Sequence, residues 1–249
     1  MSNELVIAQV TDLHIGASDN VYRGINVRKQ FKQVLAHLVQ QPLDLLVLSG
    51  DLAAEEGEPE AYLWIKEALA TLPFPYEIMA GNHDHVGRMV QVFDCYKPKA
   101  ARNGMLYFSR RLKGRCLIFL DSSPYRISKA QLQWLSEELM DSKEEVLLFI
   151  HHPPLLCDCP FMDQHHSLHN INEVWPVLEN LPVIKHIFCG HYHTNKSVVN
   201  NKISVYLTPS TCFQIDNQSP QFIIAHTQPG WRFIKWKGTR VQTYVEYLS

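Results

Sequence analysis

The sequence predicts an α/β fold in which two sheets pack together with helices outside them. Two patterns carry that expectation. Apolar runs of strand length alternate with segments of helical period as far as Ile150, and the apolar runs beyond it are joined mostly by short connections. With 249 residues, 46% of them hydrophobic, the chain can bury a large core, and the absence of a linker, repeat or low-complexity tract favours one domain over 1–249.

Leu5–Val10 is the first expected strand. Val34, Leu35, Leu38 and Val39, with Phe31 one turn earlier, share a helical face, and Leu43–Leu48 follows as a buried-type strand, so the chain opens with a strand–helix–strand unit. A second helix is expected over Glu58–Leu72, where Pro59 suits the first turn, and a strand over Tyr76–Met79. Cys116–Leu120 opens another strand, and Ser128–Met140 reads as a helix capped by Ser128. The late runs Val146–Ile150, His186–Cys189, Lys202–Leu207, Gln221–His226, Trp231–Lys235 and Val241–Tyr247 are expected to form an antiparallel sheet.

Charge and composition exclude several classes. A net charge of −2 and a pI near 6.7 lack the broad basic footprint of a duplex nucleic-acid binder. No segment approaches the roughly 20 apolar residues that span a membrane, and Met1-Ser2-Asn3-Glu4 has no basic region followed by an apolar signal segment, so a cytoplasmic location is expected. Of the six cysteines, Cys116 and Cys189 sit in strand-like runs where a reduced, buried thiol is ordinary, and Cys157-Asp158-Cys159 lacks the second pair that a zinc site needs. The oligomeric state is left open, a homodimer included.

Five short clusters of metal-ligand residue types carry the chemistry: Asp12-Leu13-His14, Gly50-Asp51, Gly81-Asn82-His83-Asp84, His151-His152-Pro153 and Gly190-His191-Tyr192-His193. Each follows a strand-like run. In an extended segment, residues i and i+2 point to one side, so Asp12 with His14, and His191 with His193, can each present two donors to one cavity. If the preceding strands are neighbours in one sheet, their carboxyl ends converge on a single site. A lone Asp or Asn after a strand usually closes a turn or caps a helix, and each cluster alone would lose to that reading; five in order do not. Carboxylate, imidazole and amide donors favour manganese or iron, admit zinc, and disfavour calcium.

The order Asp-x-His, Gly-Asp, Gly-Asn-His-Asp, His-His-Pro, Gly-His-x-His resembles the calcineurin-like metallophosphoesterase superfamily over positions 12 to 193. Outside those blocks, Met162–Asn170, Thr208–Cys212 and Pro229-Gly230-Trp231-Arg232 resemble its bacterial 3′,5′-cyclic AMP phosphodiesterases. The resemblance implies a four-layer αββα sandwich with two central mixed sheets. It assigns Asp12, His14, Asp51 and His193 to one metal, and Asp51, Asn82, His151 and His191 to a second, with Asp51 bridging. His83 becomes the catalytic group beside the metals, paired with Asp84, and Asn82, His83, His152 and His193 are expected to contact substrate.

That reading implies a binuclear phosphodiesterase with two divalent or mixed-valence ions, opening 3′,5′-cyclic AMP to 5′-AMP by in-line attack of a hydroxide held between the metals. Other small diesters, among them 2′,3′-cyclic nucleotides and nucleoside diphosphate compounds, are the alternative substrates. A protein-binding scaffold that kept the fold would be expected to lose ligands, and all seven candidate positions are occupied here. Two further segments bear on substrate. Asp163, His165, His166, His169 and Asn170 lie in a connection that can close over the site, and seven Lys or Arg with no acid between Tyr96 and Arg115 form either a solvated hairpin or a local positive field.

Overall fold

The computed structural model describes residues 4–17, 21–93, 101–102 and 104–248. Its strands form two principal sheets. The first runs Arg240–Tyr247, Gly230–Lys237, Glu4–Val10, Leu45–Ser49, Tyr76–Met79 in spatial order, and the second runs Lys196–Asn200, Ile203–Leu207, Ile184–Cys189, Val146–Ile150, Arg115–Leu120, Phe108–Leu112. Both are mixed. Glu4–Val10, Leu45–Ser49 and Tyr76–Met79 pair in parallel, as do the four inner strands of the second sheet, while the outer strands pair antiparallel.

Strand alternation divides the core into layers. Leu5, Ile7, Leu45, Val47 and Met79 of the first sheet meet Leu117, Phe119, Leu147, Phe149 and Phe188 of the second in a core built from strand residues alone. Their neighbours in sequence, such as Ala8, Leu46, Leu48, Leu148 and Ile150, point the other way and pack in the core that also holds the buried helical residues Phe31, Ile65, Leu135 and Val174. The helices Val27–Leu38, Pro59–Leu69, Lys129–Leu139 and Ile171–Glu179 lie in the crossovers between parallel strands, which places them on the outer faces. The expected sandwich is therefore formed.

The predicted helices are present with shifted ends. Asn26 caps the first by accepting from Lys29 N, Pro59 starts the second at its first turn, and Ser128 accepts from Gln131 N as expected. Lys129–Leu139 and Pro59–Leu69 are shorter than the periodicity suggests, and Gln221–His226 shrinks to Ile224–His226.

Two expectations are corrected. The five cluster-bearing strands are not neighbours in one sheet: three belong to the first and two to the second. The late strands do not form one antiparallel sheet either. Ile171–Glu179 supplies a crossover that keeps Val146–Ile150 and Ile184–Cys189 parallel, and Gly230–Lys237 returns to pair antiparallel with the first strand of the chain. Short connections signal antiparallel neighbours only where no helix intervenes. In the basic stretch, Phe108–Leu112 and Arg115–Leu120 form the hairpin, whereas residues 94–100 and 103 lie outside the described residues.

Candidate metal centre

Five of the parallel strands, three in the first sheet and two in the second, end close together, and each of these hands its chain to a cluster residue. Asp12 and His14 follow Val10, Asp51 follows Ser49, Asn82 and His83 follow Met79, His151 follows Ile150, and His191 and His193 follow Cys189. The i and i+2 pairs do converge, but not through an extended pleat. Asp12, His14, Asp51, His191 and His193 have φ of 54°, 47°, 50°, 64° and 46°, the left-handed region that L side chains seldom adopt. Such strain at five adjacent donors requires surroundings that fix the backbone. The neighbouring glycines are part of that fit: a Cβ on Gly81 would collide with Asp51, on Gly50 with His151, and on Gly190 with Thr11.

The donors meet in space. His193 Nε2 lies 3.2 Å from Asp12 Oδ1 and 3.1 Å from His14 Nε2. His151 Nε2 lies 3.3 Å from Asp51 Oδ2 and 3.9 Å from Asp12 Oδ1. Asp12, His14 and His193 form one ligand-competent group, Asp12, Asp51 and His151 a second, His151, His152 and His191 a third, and His14, Asp51 and His83 a fourth, with donor atoms within 4.8 Å of one another in each. Asp12 and Asp51 are each shared between two groups, and His152, expected to contact substrate, falls within the third.

Three imidazoles are oriented from behind by backbone carbonyls: His151 Nδ1 by Ser49 O at 2.8 Å, His193 Nδ1 by Phe213 O at 2.9 Å and His191 Nε2 by His166 O at 2.9 Å. A ring nitrogen that donates to a carbonyl leaves the opposite nitrogen with a lone pair directed inward, the usual support of a metal-binding histidine. His166 therefore enters the site through its backbone carbonyl, and it also lines the cavity with its ring edge to face with His191 at 6.2 Å. His152 Nδ1 lies 2.9 Å from Ser122 Oγ.

Buried oxygen and nitrogen atoms here lack hydrogen-bond partners. Asp12 Oδ1, Asn82 Oδ1, His151 Nε2 and His152 Nε2 are in that state, which is costly unless another group satisfies them. The electrostatics agree. Burial alone would raise the Asp12 carboxyl, but His193 beside it wins and holds it at about 2. Burial is likewise outweighed at Asp51, where His151 keeps the carboxyl well below its usual range. Burial pushes His14 and His191 down to about 3, so both are neutral and able to donate a lone pair. His151 is the exception: burial lowers it, but Asp51 wins and raises it to about 9. The ionised carboxylates, the neutral His14 and His191 imidazoles and the converging orphaned atoms fit a pair of adjacent divalent cations, whose charge would displace the proton that Asp51 favours on His151.

Asp84 is placed differently from expectation. Its carboxylate accepts from Gly81 N at 2.9 Å, Ala53 N at 3.0 Å, Leu52 N at 3.1 Å and the Tyr62 hydroxyl at 3.0 Å. The acid–imidazole pair with His83 is not formed, and His83 Nδ1 has no partner. Burial raises Asp84 to about 6, with the Asp51 charge adding to the shift and the three amides opposing it. The His83 backbone N–H instead donates to Asp51 Oδ1 at 2.8 Å, and its ring meets that of His14 edge to face with centroids 5.0 Å apart.

A cavity of about 210 Å³ opens over these donors, with His14, Asp51, Asn82, His83, His191 and His193 on its floor. Tyr22, Phe213 and Phe222 belong to its wall, and Tyr22 stacks on His14 at 4.9 Å with an interplanar angle of 8°. Pro160–His165 is helical and contributes Phe161 and Met162 to the wall. Asn170 turns away to bond Ile127, and Asp163 accepts from the Cys157 and Cys159 amides, fixing that turn. Both thiols are free and buried.

Several contributors were not legible in the sequence. Ser49, Phe213 and His166 act through backbone carbonyls, which carry no residue signature. Gln9, buried between the sheets, donates to Ser49 Oγ at 2.8 Å and accepts from Thr208 Oγ1 at 2.6 Å, one layer below the donors. Its position inside the first strand looked like any inward-facing site.

A two-sheet sandwich with a polynuclear donor cluster at its strand ends defines a class of metal-dependent phosphoesterases. The calcineurin-like phosphoesterase family profile matches residues 5–195, and the chain belongs to that family. Its class is that of the metal-dependent phosphodiesterases. It is 41% identical over 98% of its length to 94% of a protein of Fibrobacter succinogenes named "Probable cyclic nucleotide phosphodiesterase". It is also 31% identical, over 92% of its length and 84% of the relative, to the 3′,5′-cyclic adenosine monophosphate phosphodiesterase CpdA of Escherichia coli. A dimetal phosphatase from Danio rerio shares the fold with a TM-score of 0.70 at 14% identity, covering 98% of this chain and 99% of its own. Among the described residues, no helix is long and apolar enough to cross a membrane.

Proposed function

We propose that the chain hydrolyses 3′,5′-cyclic AMP to 5′-AMP at a centre holding two cations, with Asp12, His14, Asp51, Asn82, His151, His191 and His193 as ligands. The observation that carries this reading is the meeting of Asp12, Asp51, His151 and His193 between two sheets, with orphaned buried atoms facing one another. Similarity over nearly the whole chain to relatives named for cyclic nucleotides supports the substrate. Manganese or iron suits the mixed oxygen and nitrogen donors best.

Two bound cations supply positive charge at the phosphoryl oxygens and a deprotonated water at neutral pH. The protein's own groups do the rest. The carbonyls of Ser49, Phe213 and His166 fix the tautomers and angles of three imidazoles, so little reorganisation is needed during reaction. Asn82 and His83 border the cavity floor, and the Asp51 carboxylate pins the His83 backbone. His83 is then positioned to contact a phosphoryl oxygen and to give a proton to the departing ribose 3′ oxygen.

Loss of the 3′ oxygen makes 5′-AMP the product. Chromatography of the reaction on 3′,5′-cyclic AMP, with 2′,3′-cyclic AMP, ADP-ribose and a linear aryl diester in parallel, tests both substrate and direction. Cleavage of every linear diester with the 3′,5′ ring untouched would overturn the cyclic AMP reading.

A further inference from the structure

The cavity is polar at one end and aromatic at the other, as a nucleotide is. Beyond the donor floor, Tyr22 and Arg23 sit on a two-stranded hairpin, Val21–Tyr22 with Ile25–Asn26, whose turn residues Arg23 and Gly24 have φ of 49° and 81°. Two successive positive φ values make the tight hairpin turn that matches strand twist, and here they lift Arg23 over the cavity mouth. Its guanidinium lies 5.0 Å from the Phe222 ring centroid, 5.7 Å from Tyr22 and 6.0 Å from Phe213. Arg23 is exposed, lies against ring faces, and has no carboxylate partner among the described residues.

Phe222 is the other half of the arrangement. It is 37% exposed, although it stands at the edge of the cavity with Phe213 and Phe161 at 6.0 and 5.7 Å. Tyr22 stacks on the donor imidazole of His14 at 4.9 Å and Phe213 packs tilted against that of His193 at 4.6 Å, so their rings are tied to the floor. Phe222 meets no donor. It leaves an aromatic surface open toward solvent, covered on one side by a guanidinium that no acid among the described residues holds in place. The cavity of about 210 Å³ is smaller than a pocket that swallows a whole ligand, which leaves its open rim to carry part of a nucleotide.

We propose that Phe222 and Arg23 form a subsite for the planar base of a nucleotide diester, the base stacking on Phe222 in the place the Arg23 guanidinium takes here and the exposed guanidinium swinging out to cover its other face. The proposal rests on the phosphodiesterase reading and adds to it a determinant of substrate choice. Planar guanidinium and aromatic faces both stack on bases, and neither requires hydrogen-bond readout, so the subsite favours nucleotides over base-free diesters while discriminating weakly among bases. Arg23 over Phe222 marks the place the base takes.

The test compares 3′,5′-cyclic AMP with 1-O-methylribose 3′,5′-cyclic phosphate, which has the same phosphate ring and no base. The wild type is expected to show the lower KM for cyclic AMP, and Phe222→Ala and Arg23→Ala to reduce the cyclic AMP preference in kcat/KM about tenfold, mainly through KM. Arg23→Lys, which keeps charge but not planarity, should lose preference as well. An unchanged preference in Phe222→Ala overturns the subsite, and retention in Arg23→Lys reduces Arg23 to a steering charge and overturns its stacking role. Binding of 5′-AMP to metal-loaded protein, followed by saturation transfer to the adenine protons, is read without turnover. If neither diester is cleaved, the enzymatic reading fails separately, while loss of adenine contact in Phe222→Ala still supports the subsite and persistence of that contact overturns it.

Discussion

Asp51 Oδ2 lies 3.3 Å from His151 Nε2, so a carboxylate carried by the first sheet meets an imidazole carried by the second across the line where the sheets adjoin. Its other oxygen accepts from His83 N at 2.8 Å. One side chain thereby ties together a donor of each sheet and the backbone of the proposed catalytic residue. His193, by contrast, touches Asp12 and His14 on one side of the centre only.

Removing the Asp51 charge is therefore expected to loosen the whole centre. Asp51→Asn should retain less metal per chain than His193→Ala and lose more activity. Elemental analysis and turnover on both purified variants check this. Near-normal turnover in Asp51→Asn would sink the bridging role.

How far the sequence foretold this centre depends on the kind of interaction. Side chains with chemical character, such as Asp12, Asp51 and His193, announced themselves by type and by their place after apolar runs. The division of their strands between two sheets did not, because strand period records which face is buried and not which neighbour lies beside it. Nor did the left-handed backbone at five donors, which only the assembled surroundings impose. Asp84 shows the opposite failure. Its place next to His83 suggested a chemical pair, yet adjacent residues on a tight turn point apart, and its carboxylate went to backbone amides instead.

That difference separates two neighbouring variants. His83→Ala should keep both metals and lose roughly a hundredfold or more in turnover, the scale of a positioned acid–base group. Metal content serves as the control. Loss of an ion in this variant would make His83 a ligand and end the proposed division of roles.

Asp84→Ala is expected to act on stability first. Its truncation leaves the Gly81, Leu52 and Ala53 amides without their acceptor, and buried donors left unmade cost about 1–3 kcal/mol each before relaxation. A fall of about 3 kcal/mol in urea-unfolding free energy is expected, with Asp84→Asn intermediate because its amide oxygen can still accept. Unchanged stability in Asp84→Ala, with activity lost, would return Asp84 to the chemistry.

The last prediction concerns acid and uses a residue away from the centre. His186 lies in the Ile184–Cys189 strand, stacked on Tyr206 at 5.9 Å, with Nδ1 3.2 Å from the Tyr206 hydroxyl. Burial lowers its pKa below the usual 6.5, and the Glu145 carboxylate does not make up the difference. Above pH 6.5 the imidazole is neutral in folded and unfolded chains alike and adds nothing to the pH dependence. Below that value the unfolded chain takes up a proton before the folded one does, so stability falls as pH drops from 6.5 through the lower folded value. His186→Gln removes this contribution while keeping a polar side chain beside Tyr206. Urea midpoints of wild type and variant at pH 7.5 and 5.5 should therefore show a smaller acid-induced loss in His186→Gln, and equal losses would mean that His186 carries its proton as readily in the fold as outside it.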